Sequence, residues 1–195
     1  MKKLLYITNA IGGAGGLERV LSIKASYLAD KLNYEVHILV LNATDKPNFY
    51  AFSSKIIMHS IVVNGNSLHY IFKYVSAIQK AVRGINPDII SVCDDGLKGF
   101  FVPQFLSNKY KIIYERHASI NIGNSSETNF LKNFLKNSKH YLMQLLAKKF
   151  KAFVVLTNGN LLEWNLKNAI VIPNPLPFTT GQQSKIGRAS CRERV

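Results

Sequence analysis

Apolar residues along this chain fall into short solid runs, separated by longer stretches where they recur every three or four positions. Leu4–Asn9 reads as a short buried strand. Over Leu17–Leu32, the apolar residues Leu17, Val20, Leu21, Ala25, Leu28 and Leu32 form a helical stripe suited to packing on a sheet. Val36–Leu41 and Ile56–Val63 are the second and third apolar runs, and Ser67–Arg83 predicts a helix ended by Gly84 and then Pro87. Asp88–Cys93 predicts a fourth strand, and Gly96–Leu106 a helical segment interrupted at Pro103. Lys111–Arg116 predicts a fifth strand, Asn129–Phe150 a long lysine-rich helix and Ala152–Leu156 a sixth strand. A last short run, Ala169–Ile172, ends in Pro173-Asn174-Pro175, and no internal repeat interrupts the series.

Strands alternating with helices imply parallel β-α-β units, an α/β fold whose parallel sheet carries helices on both faces. In open sheets of this kind, ligands bind beyond the carboxyl ends of the strands. That rule nominates Ala10–Gly16, Asp94–Gly96, His117–Gly123 and Thr157–Asn160, which are rich in Gly, Asn, Asp, Thr and His.

Composition narrows the class. A chain of 195 residues suits one well-packed domain, and 47% hydrophobic against 18% charged residues excludes disorder. With 25 basic and 11 acidic residues, the net charge of +14 points to an anionic partner. Charge alone does not choose between nucleic acid, anionic lipid and phosphorylated small molecules. No zinc-finger spacing, basic zipper or aromatic–basic RNA signature is present, so no nucleic-acid partner is expected. Cys93, in an apolar run, reads as a buried thiol, and the cysteine usage fits a reducing cytoplasm. Met1–Ile7 resembles a signal peptide only until Thr8-Asn9 breaks it, and no apolar run is long enough to span a bilayer. The expected location is therefore cytoplasmic, at most peripheral at the inner face of the membrane. Lys132, Lys136 and Lys139 share one face of the long helix. That face is either simply solvated or attracted to anionic headgroups.

The carboxyl end changes character. Residues 181–195 read as a tail outside the domain of residues 1–180, and Ser184–Val195 carries four basic residues against one acidic. It is either a solvated basic extension or foreign sequence joined at an interrupted reading frame, the second being preferred.

Candidate chemistry starts at the glycine turn Gly12-Gly13-Ala14-Gly15-Gly16. Between a strand and a helix, such a turn exposes amide groups and a positive dipole end that favour an anion, or it is simply a tight connection. A dinucleotide fingerprint from Gly13 would need a glycine where Glu18 stands, and an acidic residue is missing where the second strand ends in Leu41-Asn42. A P-loop would need a Gly-Lys-Ser/Thr ending, which is absent.

Gly15-Gly16-Leu17-Glu18-Arg19-Val20 resembles the Gly-Gly-x-Glu-Arg signature of retaining glycosyltransferases of the GT-B architecture, in the large family numbered four. Pro87-Asp88-Ile89-Ile90, Glu115-Arg116-His117, Phe153-Val154-Val155-Leu156-Thr157 and Val171-Ile172-Pro173-Asn174-Pro175 resemble further segments of that family in the same order, with Pro175 in place of the usual glycine. The resemblance covers about residues 1–180. It implies the amino-terminal, Rossmann-like half of a two-domain enzyme, holding a glycan or lipid-linked acceptor while the other half holds most of a nucleotide-sugar donor. The donor-binding glutamate pair of the family belongs to that other half and is not found here, so the chain alone is expected to have little or no activity.

By the same resemblance, Gly15 and Gly16 approach the donor diphosphate and acceptor, and His117 faces the transferred sugar as the candidate catalytic residue. Glu18 is a substrate-binding candidate or an acidic residue favoured in a helix's first turn. Arg19 either pairs with it or faces an anion. Asp94 and Asp95 either bond acceptor hydroxyls or cap the helix starting near Gly96. No metal and no cofactor are called for. The alternative is a non-catalytic binding module for a phosphorylated ligand.

Overall fold

A computed structural model describes residues 1–43, 47–63, 67–94, 96–119 and 130–175. Seven strands form one parallel sheet: β1 (Lys3–Thr8), β2 (Glu35–Leu41), β3 (Ile57–Ile61), β4 (Ile89–Cys93), β5 (Lys111–Glu115), β6 (Ala152–Val155) and β7 (Ala169–Val171). Their spatial order is β3-β2-β1-β4-β5-β6-β7. The chain runs outward from β1 through β2 to β3, then returns to β1's other side at β4. This reversal opens a crevice between the carboxyl ends of β1 and β4.

The helices are α1 (Gly16–Asp30), α2 (Ser67–Ile85), α3 (Leu97–Phe100), α4 (Val102–Phe105), α5 (Phe130–Ala147) and α6 (Asn158–Trp164). Strand side chains alternate between two cores. Leu4, Tyr6, Val36, Ile38 and Val40 pack with Leu21 and Ala25 of α1. Leu5, Ile7, Leu39, Ile90, Tyr114 and Phe153 face the opposite way, against Ile78 of α2, Phe100 of α3, Met143 of α5 and Trp164 of α6. The sheet thus carries helices on both faces, as its alternating elements require.

Three local readings change. The segment 96–106 breaks at Phe101 rather than at Pro103, which sits in the first turn of α4. There its missing N–H needs no partner. Gly84 lies inside α2, and the helix is stopped instead by Asn86 in the left-handed region at φ 48°. Asn165, at φ 41°, ends α6 in the same way, the small amide tolerating a conformation usually left to glycine. Thr157–Asn160, expected as a site loop, starts α6: Thr157 Oγ1 accepts the Asn160 N–H at 3.1 Å.

Candidate functional site

The crevice floor is built by two residues just past their strands. Asn9, after β1, donates from Nδ2 to Asp94 Oδ1, after β4, at 2.6 Å. Asp94 Oδ1 also accepts the Gly96 N–H at 2.6 Å, and the Tyr114 hydroxyl donates to the Asp94 carbonyl. Buried Asp94 therefore fixes the β4–α3 turn from within, and Gly96 itself stands at the N-cap of α3. Asp95 lies outside the described residues.

The glycine turn forms one rim. Gly15 is the N-cap of α1, which makes Glu18 its third helical residue, the place from which a carboxylate reaches back to the helix start. It does so here: a Cβ on Gly13 would lie 2.9 Å from Glu18 Oε1, and a Cβ on Gly15 would overlap the Glu18 carboxylate. Gly15 has φ −73° and ψ 167°, extended backbone open to any residue. The glycine is thus needed for space rather than for conformation. Glu18 brings its own negative charge to the helix start, which narrows the simple phosphate-cradle reading of the turn. Gly16 is exposed and a Cβ there would meet nothing. Arg19 is exposed, and no ion pair joins it to Glu18 among the described residues.

Behind that rim lies a charged cluster on the α1 face. Lys24 of α1 pairs with Glu115 Oε2 at the end of β5, and Ser91 of β4 donates to Glu115 Oε1. His117 Nε2 stands 3.6 Å from Glu115 Oε2. Burial alone would raise the Glu115 carboxyl, but the His117 and Ser91 contacts and the Lys24 ammonium outweigh it and hold the pKa down to about 2. Tyr6 is pushed the other way, by burial first and then by the Glu115 charge. The His117 side chain is only 9% exposed, and its buried Nδ1 meets no hydrogen-bonding partner among the described residues. Arg116 is held by its Nε bond to the Ala118 carbonyl at 2.8 Å and lies over the Trp164 ring.

Lys24, Glu115, Arg116, His117 and Asn174 line a cavity of about 170 Å³. A second, of about 560 Å³, opens between the glycine turn and the ends of β2 and β3, bordered by Gly12, Gly13, Asn42 and His59. A third, of about 840 Å³, lies at the opposite, amino-terminal edge among Lys111, Lys149 and Lys151. The ligating atoms of Cys93, Glu115 and His117 lie within 4.8 Å of one another. With Lys24 already neutralising Glu115, that trio belongs to an ion-paired network rather than to a metal cage.

The structure thus brings Gly15, Gly16, Glu18, Asp94 and His117 to one edge. Asn9, Ser91 and Lys24 escaped the sequence reading. Their signal is polarity in an apolar pattern: Lys24 interrupts the buried stripe of α1, and Ser91 interrupts the apolar run of β4.

No protein-family model and no curated protein matches the chain. Solved structures do. A lipopolysaccharide outer core galactosyltransferase, WaaB, superposes with a TM-score of 0.63 at 16% identity, over 91% of this chain and 47% of that one. Sucrose-phosphate synthase from Thermosynechococcus elongatus gives 0.65 at 12% identity, over 88% and 48%. The UDP-GlcNAc 2-epimerase of Methanocaldococcus jannaschii gives 0.53 at 17%, over 88% and 45%. The fold is that of a GT-B amino-terminal half. The chain spans about half the length of each of these GT-B neighbours.

Proposed function

We propose that this chain is the acceptor-side half of a retaining glycosyltransferase of the family-four type. The whole enzyme moves a sugar from a nucleotide-sugar donor to a glycan or lipid-linked acceptor, and this half alone has little or no activity. The observation that carries the reading is His117. It is nine-tenths buried at the carboxyl edge of the sheet and holds an Nδ1 with no hydrogen-bonding partner among the described residues. Tyr74 and Trp164 hold such atoms in the core, but His117 also lines the cavity beside Lys24 and Asn174, where a ligand hydroxyl could supply the bond.

The remaining roles follow from position. Open space at Gly16 and the exposed Arg19 leave room for a diphosphate to approach the start of α1. Asp94, already committed to Asn9 and Gly96, acts through the shape of the crevice floor. No nucleophile is assigned. A UDP-sugar epimerase has the same fold, so the motif order, and not the fold, favours transfer.

The test is an NMR titration of the labelled chain with UDP-glucose and UDP-N-acetylglucosamine, followed by product analysis. Expected are shifts at Gly15, Gly16 and His117, weakened in His117→Ala, with no sugar transferred. No shift at Gly15, Gly16 or His117 even at high nucleotide-sugar concentration removes the donor contact from these three residues. Robust transfer by the 195-residue chain overturns the half-site reading. Conversion of UDP-N-acetylglucosamine to its epimer assigns the fold to the other reaction.

A further inference from the structure

The cavity at the amino-terminal edge of the sheet, of about 840 Å³, has no part in the crevice. Lys109, Lys111, Lys149 and Lys151 wall it above the apolar Leu106, Ile112 and Phe150. Lys111 opens β5, and Lys151 stands just before β6. The Lys151 N–H donates to the Ile112 carbonyl at 2.8 Å, so the two lysines start adjacent strands, which run about 4.8 Å apart. The loop from α4 to β5 completes the wall. There the Tyr110 N–H donates to the Ser107 carbonyl at 3.2 Å, and the Lys109 ammonium lies 4.7 Å from the centre of the Tyr110 ring. A smaller cavity of about 330 Å³ shares Lys109 and Tyr110 and brings in Arg83 of α2. Of the lysine trio read from the sequence, Lys139 is exposed, while the side chains of Lys132 and Lys136 lie outside the described residues.

No carboxylate lines either cavity. Lys149 donates to Gln104 Oε1 and Lys109 to Asn86 Oδ1 at 3.5 Å, both of them neutral amides. Elsewhere the chain gives its lysines acids: Lys3 meets Glu35 at 2.9 Å on this same edge, and Lys24 meets Glu115. The dipole at the carboxyl end of α5 accounts for Lys149, which closely follows it. Lys111, the first residue of a strand, has no such cause. Like charges around one hollow repel, and an anion seated among them turns that repulsion into attraction. The shape selects the kind of anion. A flat polyanionic surface meets protruding side chains, whereas these lysines ring a concavity of the volume that small ligands fill. A single phosphate is too small to engage all of them, while a chain of two or three phosphates reaches several at once.

We propose that the amino-terminal edge, at the starts of β5 and β6, holds a second ligand site, for a soluble di- or triphosphate. Lys109, Lys111, Lys149 and Lys151 meet the phosphate oxygens as point charges, and Ser107 and Asn108 on the cavity wall add neutral hydrogen bonds. The phosphates belong either to a nucleotide or to an inorganic polyphosphate. β5, five residues and about 17 Å long, separates this site from Glu115 and His117. The site therefore stands apart from the transferase reading and is tested without turnover.

The test is a calorimetric titration of the whole chain with tripolyphosphate, ATP and orthophosphate, paired with amide NMR spectra. Tripolyphosphate is expected to bind far more tightly than orthophosphate and to shift Lys109, Lys111 and Lys151 while Gly15 and Gly16 stay in place. Lys111→Gln with Lys151→Gln weakens binding about 10-fold or more, one charged hydrogen bond being lost at each position. Lys31→Gln with Lys55→Gln removes equal charge on the α1 side and weakens it about 2-fold at most, since salt screens charges beyond about 10 Å. All four lysines are exposed, so both variants keep the fold, which circular dichroism checks. ATP held more tightly than tripolyphosphate marks a nucleotide as the ligand, and equal affinity marks the phosphate chain itself. No binding of either at millimolar concentration, equal loss from both lysine pairs, or shifts confined to the glycine turn overturns the proposal. So does binding of RNA or anionic vesicles through Lys111 and Lys151 with none of tripolyphosphate.

Discussion

The carboxylate of Glu18 occupies the space that a Cβ on Gly15 would fill. Gly15→Ala therefore has to displace the far end of a flexible side chain, and what is lost is the acidic group at the helix start. Gly15→Ala and Glu18→Ala are each expected to lower stability by about 0.5–1 kcal/mol. Because both remove the same interaction, the double variant loses clearly less than the sum. Urea unfolding of the four proteins checks this, and strict additivity would show that the two residues act separately.

Gly16 gives the opposite expectation. Its Cβ would meet open space at the first position of α1, where alanine is the better helix former. Gly16→Ala should raise stability by about 0.5 kcal/mol. If a diphosphate approaches this backbone, the added methyl also weakens nucleotide-sugar binding. A thermal melt and a calorimetric titration on one sample separate the two effects. A gain in stability with unchanged affinity removes Gly16 from the site.

His37 Nδ1 and His59 Nε2 lie 2.8 Å apart, so one ring must donate and the other accept. Burial first, then the nearby His37, pushes the His59 pKa below its ordinary 6.5. A base whose folded pKa is lowered takes up its proton more readily when unfolded. Stability from His59 is therefore present above pH 6.5 and lost as pH falls below it. His59→Gln keeps a polar group and should flatten the stability profile below pH 6.5. An unchanged slope in chemical denaturation would remove His59 as its source.

The strands were legible because a sheet buried on both faces needs solid apolar runs, and β1, β2, β4, β5 and β6 each lie within two residues of their expected bounds. The parallel order was legible from alternation alone. The crevice was legible only as an edge. Asn9 meets Asp94 across 85 positions, and Lys24 meets Glu115 across 91, pairings that no local spacing announces. Glu18 has two readings in the sequence, and its side chain lies folded against Gly13 and Gly15. Asp94 Oδ1 likewise accepts from Asn9 and Gly96 at its own turn, contacts visible only in the folded chain.

Glu115 is a strongly pH-dependent group on this edge. Its carboxyl is held down to about 2, against an ordinary 4.5, because the Lys24, His117 and Ser91 contacts exceed the penalty of burial. A lowered carboxyl pKa contributes stability that is fully present above the unfolded value and drains away as pH falls from about 4.5 towards 2. Glu115→Gln should remove that part of the acid-unfolding slope. At neutral pH it should also cost about 2–3 kcal/mol, since it leaves Lys24 facing a neutral amide in a partly buried position. Lys24→Met strands the carboxylate instead and should cost a similar amount. Removing both leaves no unpaired charge, so Glu115→Gln with Lys24→Met is expected to be less damaging than either single change predicts. Guanidinium unfolding at pH 7 and pH 3 decides it: the wild type should lose much more stability between those conditions than Glu115→Gln. Equal losses would place the acid sensitivity of this protein in other carboxylates.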